Sequence, residues 1–193
     1  MEAKTYSIRV MREEHENILE FLKVVRSACI RVMNGERVDE EDFFGFIDFA
    51  RNYSDKHHHG KEEKFLFNEM SEHLGSAGKN LVQAGMLVEH DLCRGHILDL
   101  EMALNAWKDD KNKTDSFRLD IIEAAAGYAN LLSRHIEKEN SIVYPFAERG
   151  LSTEILCSID EKVKEAEEDK EKSEKRDNLL KKLSAWKEKY AIL

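Results

Sequence analysis

The chain has 193 residues, 41% of them hydrophobic and 36% charged, with a formal net charge of −9. That is enough for one good core with an appendage, while the negative balance argues against nucleic acid held through its phosphates. No run of about 20 apolar residues is present to span a membrane, and the first residues, MEAKTYSIRVMREEH, carry no apolar core of a secretory signal.

A single proline, nine glycines and few alternating β-branched runs predict an all-α chain of long helices. The first helix is expected from about Thr5 to Met33. Ile8, Met11, His15, Ile18, Leu22, Val25 and Cys29 recur there at three and four residues, and Asn34-Gly35 is the stop signal. The second starts near Asp39, where DEED supplies a cap and an acidic first turn. It carries Phe43, Phe44, Ile47, Arg51, Asp55, His58, Glu62 and Leu66 along one side and ends around Gly75 to Gly78. Gly60 inside it suggests a close approach by a neighbouring helix. The third, roughly Lys79 to Trp107, has the stripe Val82, Met86, His90, Cys93, Ile97, Leu100 and Leu104. The fourth, about Asp115 to Ala147, has Ile121, Ala125, Tyr128, Leu132, His135, Glu139, Ile142 and Phe146, with Pro145 expected to kink or fray its last turn.

After Gly150 a fifth helix opens near Ser152 with Ile155, Ile159 and Val163. From Asp160 to Asp177 it is almost purely charged, nine acids against six bases, and reads as a solvated helix. An apolar stripe returns in Leu179, Leu183, Trp186, Tyr190 and Leu193, which must pack on the rest of the chain or on a second copy, giving a homodimer contact through the C-terminal helix. Removing residues 165–193 is expected to leave metal binding intact. The chain thus divides into 1–150, a metal-binding bundle, and 151–193, a charged and amphipathic extension. Cys29, Cys93 and Cys157 are odd in number and widely spaced. They fit neither a disulfide framework nor a metal knuckle, and favour a reducing cytoplasm; Cys157 is read as core.

The two halves share one pattern. His15 and His58 are 43 positions apart, His90 and His135 are 45. EEHEN at 13–17 resembles VEHDL at 88–92, and HHGKEEKFLFN at 58–68 aligns with HIEKENSIVYP at 135–145, matching Lys61 with Lys138 and Phe67 with Tyr144. HHHGKEE offers two i, i+4 pairs, His58/Glu62 and His59/Glu63. Only the first is in register with His135/Glu139, so His58 and Glu62 are placed inward. On an α-helix His59 and Glu63 lie about 100° away and go, with His57, to the rim or solvent. His15, His58, Glu62, His90, His135 and Glu139 can then converge. Buried glutamates are costly unless paired or bound to metal, and imidazoles with carboxylates suit iron or manganese, with zinc an alternative. His96 and His73 stay outside the site.

This set, in HHHGKEEKFLF, EHDLCRGH and HIEKENSIVYP after a lone His15, resembles the hemerythrin-like, or HHE cation-binding, family over about residues 5 to 150. The resemblance implies an up-and-down antiparallel four-helix bundle holding a non-haem di-iron centre, two ions bridged by carboxylates and an oxo or hydroxo group. It makes His15, His58, His90 and His135 the terminal ligands and Glu62 and Glu139 the bridges. It also implies a small diatomic ligand or peroxide as partner, at a centre that binds, senses or reacts with oxygen, peroxide or nitric oxide. Two other readings are a structural or regulatory module with one iron or zinc, whose C-terminal helix recruits a partner, and an enzyme of iron–sulfur repair or peroxide breakdown. Oxygen carriers of the family have a second histidine one turn after the helix-three ligand; here Cys93 and Arg94 stand there. They also space the helix-four acid one residue further from its histidine. Reversible oxygen transport is therefore not implied. Cys93 and Tyr128 are read as core packing, with a redox thiol and a hydrogen bond to a ligand as their functional alternatives.

Overall fold

The computed structural model describes residues 5–190, apart from the side chain of Lys172. Leu193 of the expected terminal stripe lies outside the described residues. Among these the chain is all helical, with no strand. α1 spans Tyr6–Met33 and α2 Glu40–Phe49; the latter runs on as π-helical turns, π1 Ala50–His59 and π2 Glu62–Leu66, into α3 Phe67–His73. α4 Gly75–Asn80, π3 Leu81–Met86 and α5 Leu87–Asp109 follow. Then come α6 Asp115–Lys138, π4 Glu139–Val143, α7 Tyr144–Gly150, α8 Thr153–Glu168 and α9 Lys170–Lys189.

The ends follow local chemistry. α1 stops at Asn34, with Gly35 at φ +96°, and the break after α3 puts Gly75 at φ +63°; both are left-handed positions that favour glycine. Asp39 accepts a hydrogen bond from the Asp42 amide and caps α2. Asp160 of α8 accepts from the amides of Tyr6 and Ser7, satisfying two free donors at the start of α1. Pro145 does not end its helix. It sits in the first turn of α7, immediately after π4, where its missing N–H is tolerated. Gly60 admits no close neighbour; a Cβ there would meet only the Asp55 carbonyl oxygen, at 3.8 Å.

Neighbouring segments run in opposite directions. Residues 14, 17 and 21 of α1 meet 58, 53 and 49, and Arg12 and Arg26 meet Asn140 and Asn130. Arg51, Asp55 and Glu63 meet Glu101, Arg94 and His90. The core divides into two apolar clusters. One holds Ile18, Phe21, Phe46, Phe49, Tyr53, Cys93, Tyr128 and Leu132; the other holds Ile8, Met11, Leu66, Phe67, Met86, Val143 and Tyr144. In every segment the histidines and glutamates of the repeated pattern fall between them: 15 after Met11, 58–62 after Tyr53, 90 after Met86, 135–139 before Val143. A polar layer is thereby sealed on two sides from water.

The terminal stripe packs on the chain itself. Leu179, Leu183, Trp186 and Tyr190 are buried, and Trp186 stacks edge-on against Phe46 at 4.9 Å. Of its two expected destinations the stripe takes the first, and the homodimer expectation that relied on it loses that surface. Cys157, expected in the core, is exposed on α8, because Ile159 and Val163 take that helix's inward face. Asp42 fastens α9: it accepts from Trp186 Nε1 at 2.9 Å and Tyr190 Oη at 2.6 Å. Asp42→Ala leaves both donors buried without an acceptor, at about 1–3 kcal/mol each. Urea titration should therefore show a loss of about 2–6 kcal/mol; a loss under about 0.5 kcal/mol would mean that water replaces the carboxylate.

Candidate metal centre

His15, His58, Glu62, His90, His135 and Glu139 all lie in the sealed layer, each at 0–1% exposure. A seventh residue joins them. His59 is only 2% exposed, and its ring stacks on His90 at 3.7 Å. The expectation that it faces the rim fails for a definable reason. It assumed 100° per residue, whereas Ala50 to Leu66 is largely π-wound. With i→i+5 hydrogen bonds each residue advances less around the axis, so His58 and His59 both face inward, flanking Glu62.

Two donor sets result. His15, His58, Glu62 and Glu139 form one; His59, Glu62, His90 and His135 form the other, with donor atoms within 4.8 Å of one another in each. Glu62 belongs to both. Glu139 also reaches across, with Oε2 3.1 Å from His15 Nε2 and Oε1 2.9 Å from His135 Nε2 and 3.8 Å from His90 Nε2. Donors bound to one ion at 2.0–2.2 Å and at right angles to each other lie about 3 Å apart, so these separations fit.

The outer nitrogens are tied down. His58 Nδ1 lies 2.9 Å from Glu14, His90 Nδ1 2.7 Å from Glu63, His135 Nδ1 2.8 Å from Glu89 and His15 Nδ1 3.1 Å from Asn140 Oδ1. His59 Nδ1 faces Asp55 at 3.5 Å, a looser contact. That atom is itself without a hydrogen-bond partner. Carboxylates and amide oxygens only accept, so the Nδ1 atoms of His15, His58, His90 and His135 carry a proton and their Nε2 atoms face the centre. There they meet other acceptors: His90 Nε2 and His135 Nε2 are 3.0 Å apart. His58 Nε2, His59 Nε2, Glu62 Oε2 and both Glu139 oxygens are buried without a hydrogen-bond partner. Acceptors crowded against acceptors are what a bound cation would satisfy, and each set could hold one.

Protonation agrees. Burial, and next the charge of Glu139, push Glu62 well above the carboxylate range. Burial opposes ionisation of Glu139 too, but His135, His15 and His90 outweigh it and hold that group well below. Burial, then His15, brings His58 down to about 4, and burial, then His90, brings His59 well below its usual value. Those two imidazoles are neutral at pH 7, as ligands must be. The Tyr144 hydroxyl donates to Glu62 Oε1 at 2.6 Å and its ring stacks on His15.

The Hemerythrin HHE cation binding domain matches residues 6–147. The chain belongs to this family. No curated protein matches it. In this HHE chain α8 and α9 lie beyond the matched segment. Its surroundings explain the glutamate before each lone histidine. Glu14 and Glu89 do not ligate; each holds the Nδ1 of the partner helix's histidine and pairs with Lys61 or Lys138. Glu63, expected to be a bystander, orients His90 and is itself held by Arg94 at 2.7 Å. Glu14, His57 and Glu167 also converge, but the Lys61 ammonium already lies among them as their cation. His96 sits half-buried against Gly127 and His73 is exposed, both outside the donor sets.

A cleft of about 390 Å3 opens beside His59, lined also by Ala50, Arg51, Asp55, Lys56, Cys93, Arg94, Ile97 and Tyr128. Burial pushes the Cys93 thiol up to about 12, so it is protonated at neutral pH. Cys93 belongs to neither donor set, and Tyr128 makes no hydrogen bond to a ligand residue.

Proposed function

We propose that this HHE chain holds two iron ions and there binds, senses or reacts with oxygen, peroxide or nitric oxide. The observation that supports this best is the pair of donor sets sharing Glu62. His15 and His58 would hold one ion, His59, His90 and His135 the other, with Glu62 and Glu139 bridging. The frame is an up-and-down antiparallel four-helix bundle over residues 1–150 with a helical extension over 151–193, and the opposed helix contacts support that topology. Bound iron supplies electron transfer and open coordination positions for a small ligand.

The chain's own residues do the rest. The apolar clusters exclude bulk water, which strengthens every charge interaction inside. Glu14, Glu63, Glu89 and Asn140 fix the imidazoles with Nε2 inward. Tyr144 keeps a proton within 2.6 Å of Glu62; burial, then Glu62, raises its hydroxyl well above the usual range, so it serves as a donor rather than a base. The cleft at His59 offers small molecules a route toward the second ion. Cys29 and Cys93 are buried as free thiols, which supports a reducing, cytoplasmic setting.

Protein purified without oxygen should contain close to two irons per chain by elemental analysis. Its visible spectrum should change on adding peroxide or nitric oxide. One ion per chain, or zinc alone, would overturn the di-iron reading in favour of a structural module.

A further inference from the structure

The two halves of the centre are built alike but are not enclosed alike. In the second half, Glu89 holds His135 Nδ1 and pairs with Lys138, whose side chain is 46% exposed. In the first half, Glu14 holds His58 Nδ1 and pairs with Lys61, whose side chain is only 4% exposed. What covers it is α8, beyond the family's matched segment. Glu167 Oε1 meets Lys61 Nζ at 2.5 Å and lies 3.6 Å from His57 Nε2, while its other oxygen accepts from Arg176 of α9 at 2.6 Å. A continuous chain of contacts therefore runs Arg176, Glu167, Lys61, Glu14 and, by a hydrogen bond, His58.

We propose that Glu167 is a positioning residue for the His15/His58 metal position, coupling that ion to the packing of the C-terminal helices. The inference rests on the two-metal reading above. Lys61 is buried and needs anionic partners. Glu167 takes part of its charge, which leaves Glu14 a stronger acceptor for the His58 N–H and His58 Nε2 a better donor to metal. Without Glu167, Glu14 is the anionic partner left to Lys61, beside His57, and that hold weakens. Coupling is reciprocal, so an ion at His15/His58 favours the docked α8–α9 pair in return. The second half lacks this link, so the two ions should differ in their response.

Glu167→Gln keeps the shape of the side chain and removes its charge. Stepwise cobalt(II) titration of the full chain, followed by its visible bands, resolves the two positions. Loss of a partner outside the ligand shell typically weakens metal 10- to 100-fold. Glu167 acts one contact further out, so about three- to tenfold is expected for one ion only. Lys138→Met, the counterpart at the exposed pair, should leave that ion unchanged and act on the other. Amide exchange in α8 and α9 should slow when metal is added to the unaltered chain and slow much less in Glu167→Gln. Equal weakening of both ions, or exchange in α8 and α9 indifferent to metal, would overturn the coupling while two bound ions left the metal reading standing. An unaltered chain that takes up no metal would remove both.

Discussion

Glu62→Gln and Glu139→Gln should each lower the metal content from two ions to well under one per chain. Each carboxylate faces both donor sets: Glu62 Oε2 lies 3.7 Å from His58 Nε2 and 3.6 Å from His90 Nε2, and Glu139 spans His15 and His135. If both bridge, as proposed, loss of either would strip an anionic donor from both ions at once and leave the mutual repulsion of two cations less compensated. Glutamine preserves the volume and, at Glu62, an acceptor for Tyr144, so the fold should persist and helical circular dichroism should be unchanged. Glu14→Ala and Glu63→Ala touch only the outer nitrogens. They should weaken affinity about 10- to 100-fold yet still reach two ions at saturation. Two ions retained in Glu62→Gln would show that Glu62 does not bridge.

The contrast between Glu62 and Glu63 shows where the sequence is readable. Apolar residues at three and four positions, interrupted once per segment by histidine, place His15, His58, His90 and His135 on inward stripes. The repeat at 43 and 45 positions brings them to one level. For His15, His90 and His135 these are consequences of α-helical periodicity; His58 lies within π1, and its inward placement comes from its register with His135. His59 is illegible. The π turns around it change the angle per residue, and nothing in HHHGKEE announces a π turn. Glu14 and Glu89 were half legible. The glutamate before each lone histidine repeats, but its role depends on which neighbouring helix it faces, and that is a tertiary fact. Phe67 and Tyr144 align in the repeat and diverge in chemistry: Phe67 stacks near His90, whereas the Tyr144 hydroxyl reaches Glu62. The duplicated frame thus carries unlike surroundings at its two donor sets.

Removing residues 165–193 should cost the fold, and metal binding with it, against the expectation from sequence that metal binding survives the truncation. The charged run hides how much α9 buries. Leu179, Leu183, Trp186 and Tyr190 are each under 8% exposed, and burying a large apolar side chain stabilises by about 1.5–3 kcal/mol. Together they contribute about 6–12 kcal/mol, comparable to the whole stability of a typical domain, about 5–15 kcal/mol. Their removal also uncovers Phe21, Phe46 and Phe49, an apolar patch that favours aggregation, and leaves Asp42 without Trp186 and Tyr190. Lys61 loses Glu167 as well. The shortened chain should show a broad thermal transition at much lower temperature, or none, and light scattering should report association. Metal at a thousandfold above its dissociation constant stabilises by only about 4 kcal/mol, so saturating iron should restore part of the transition and not all of it. A shortened chain that remains monomeric, melts at the temperature of the full chain and holds two ions would mean that α9 rests on the bundle without supporting it.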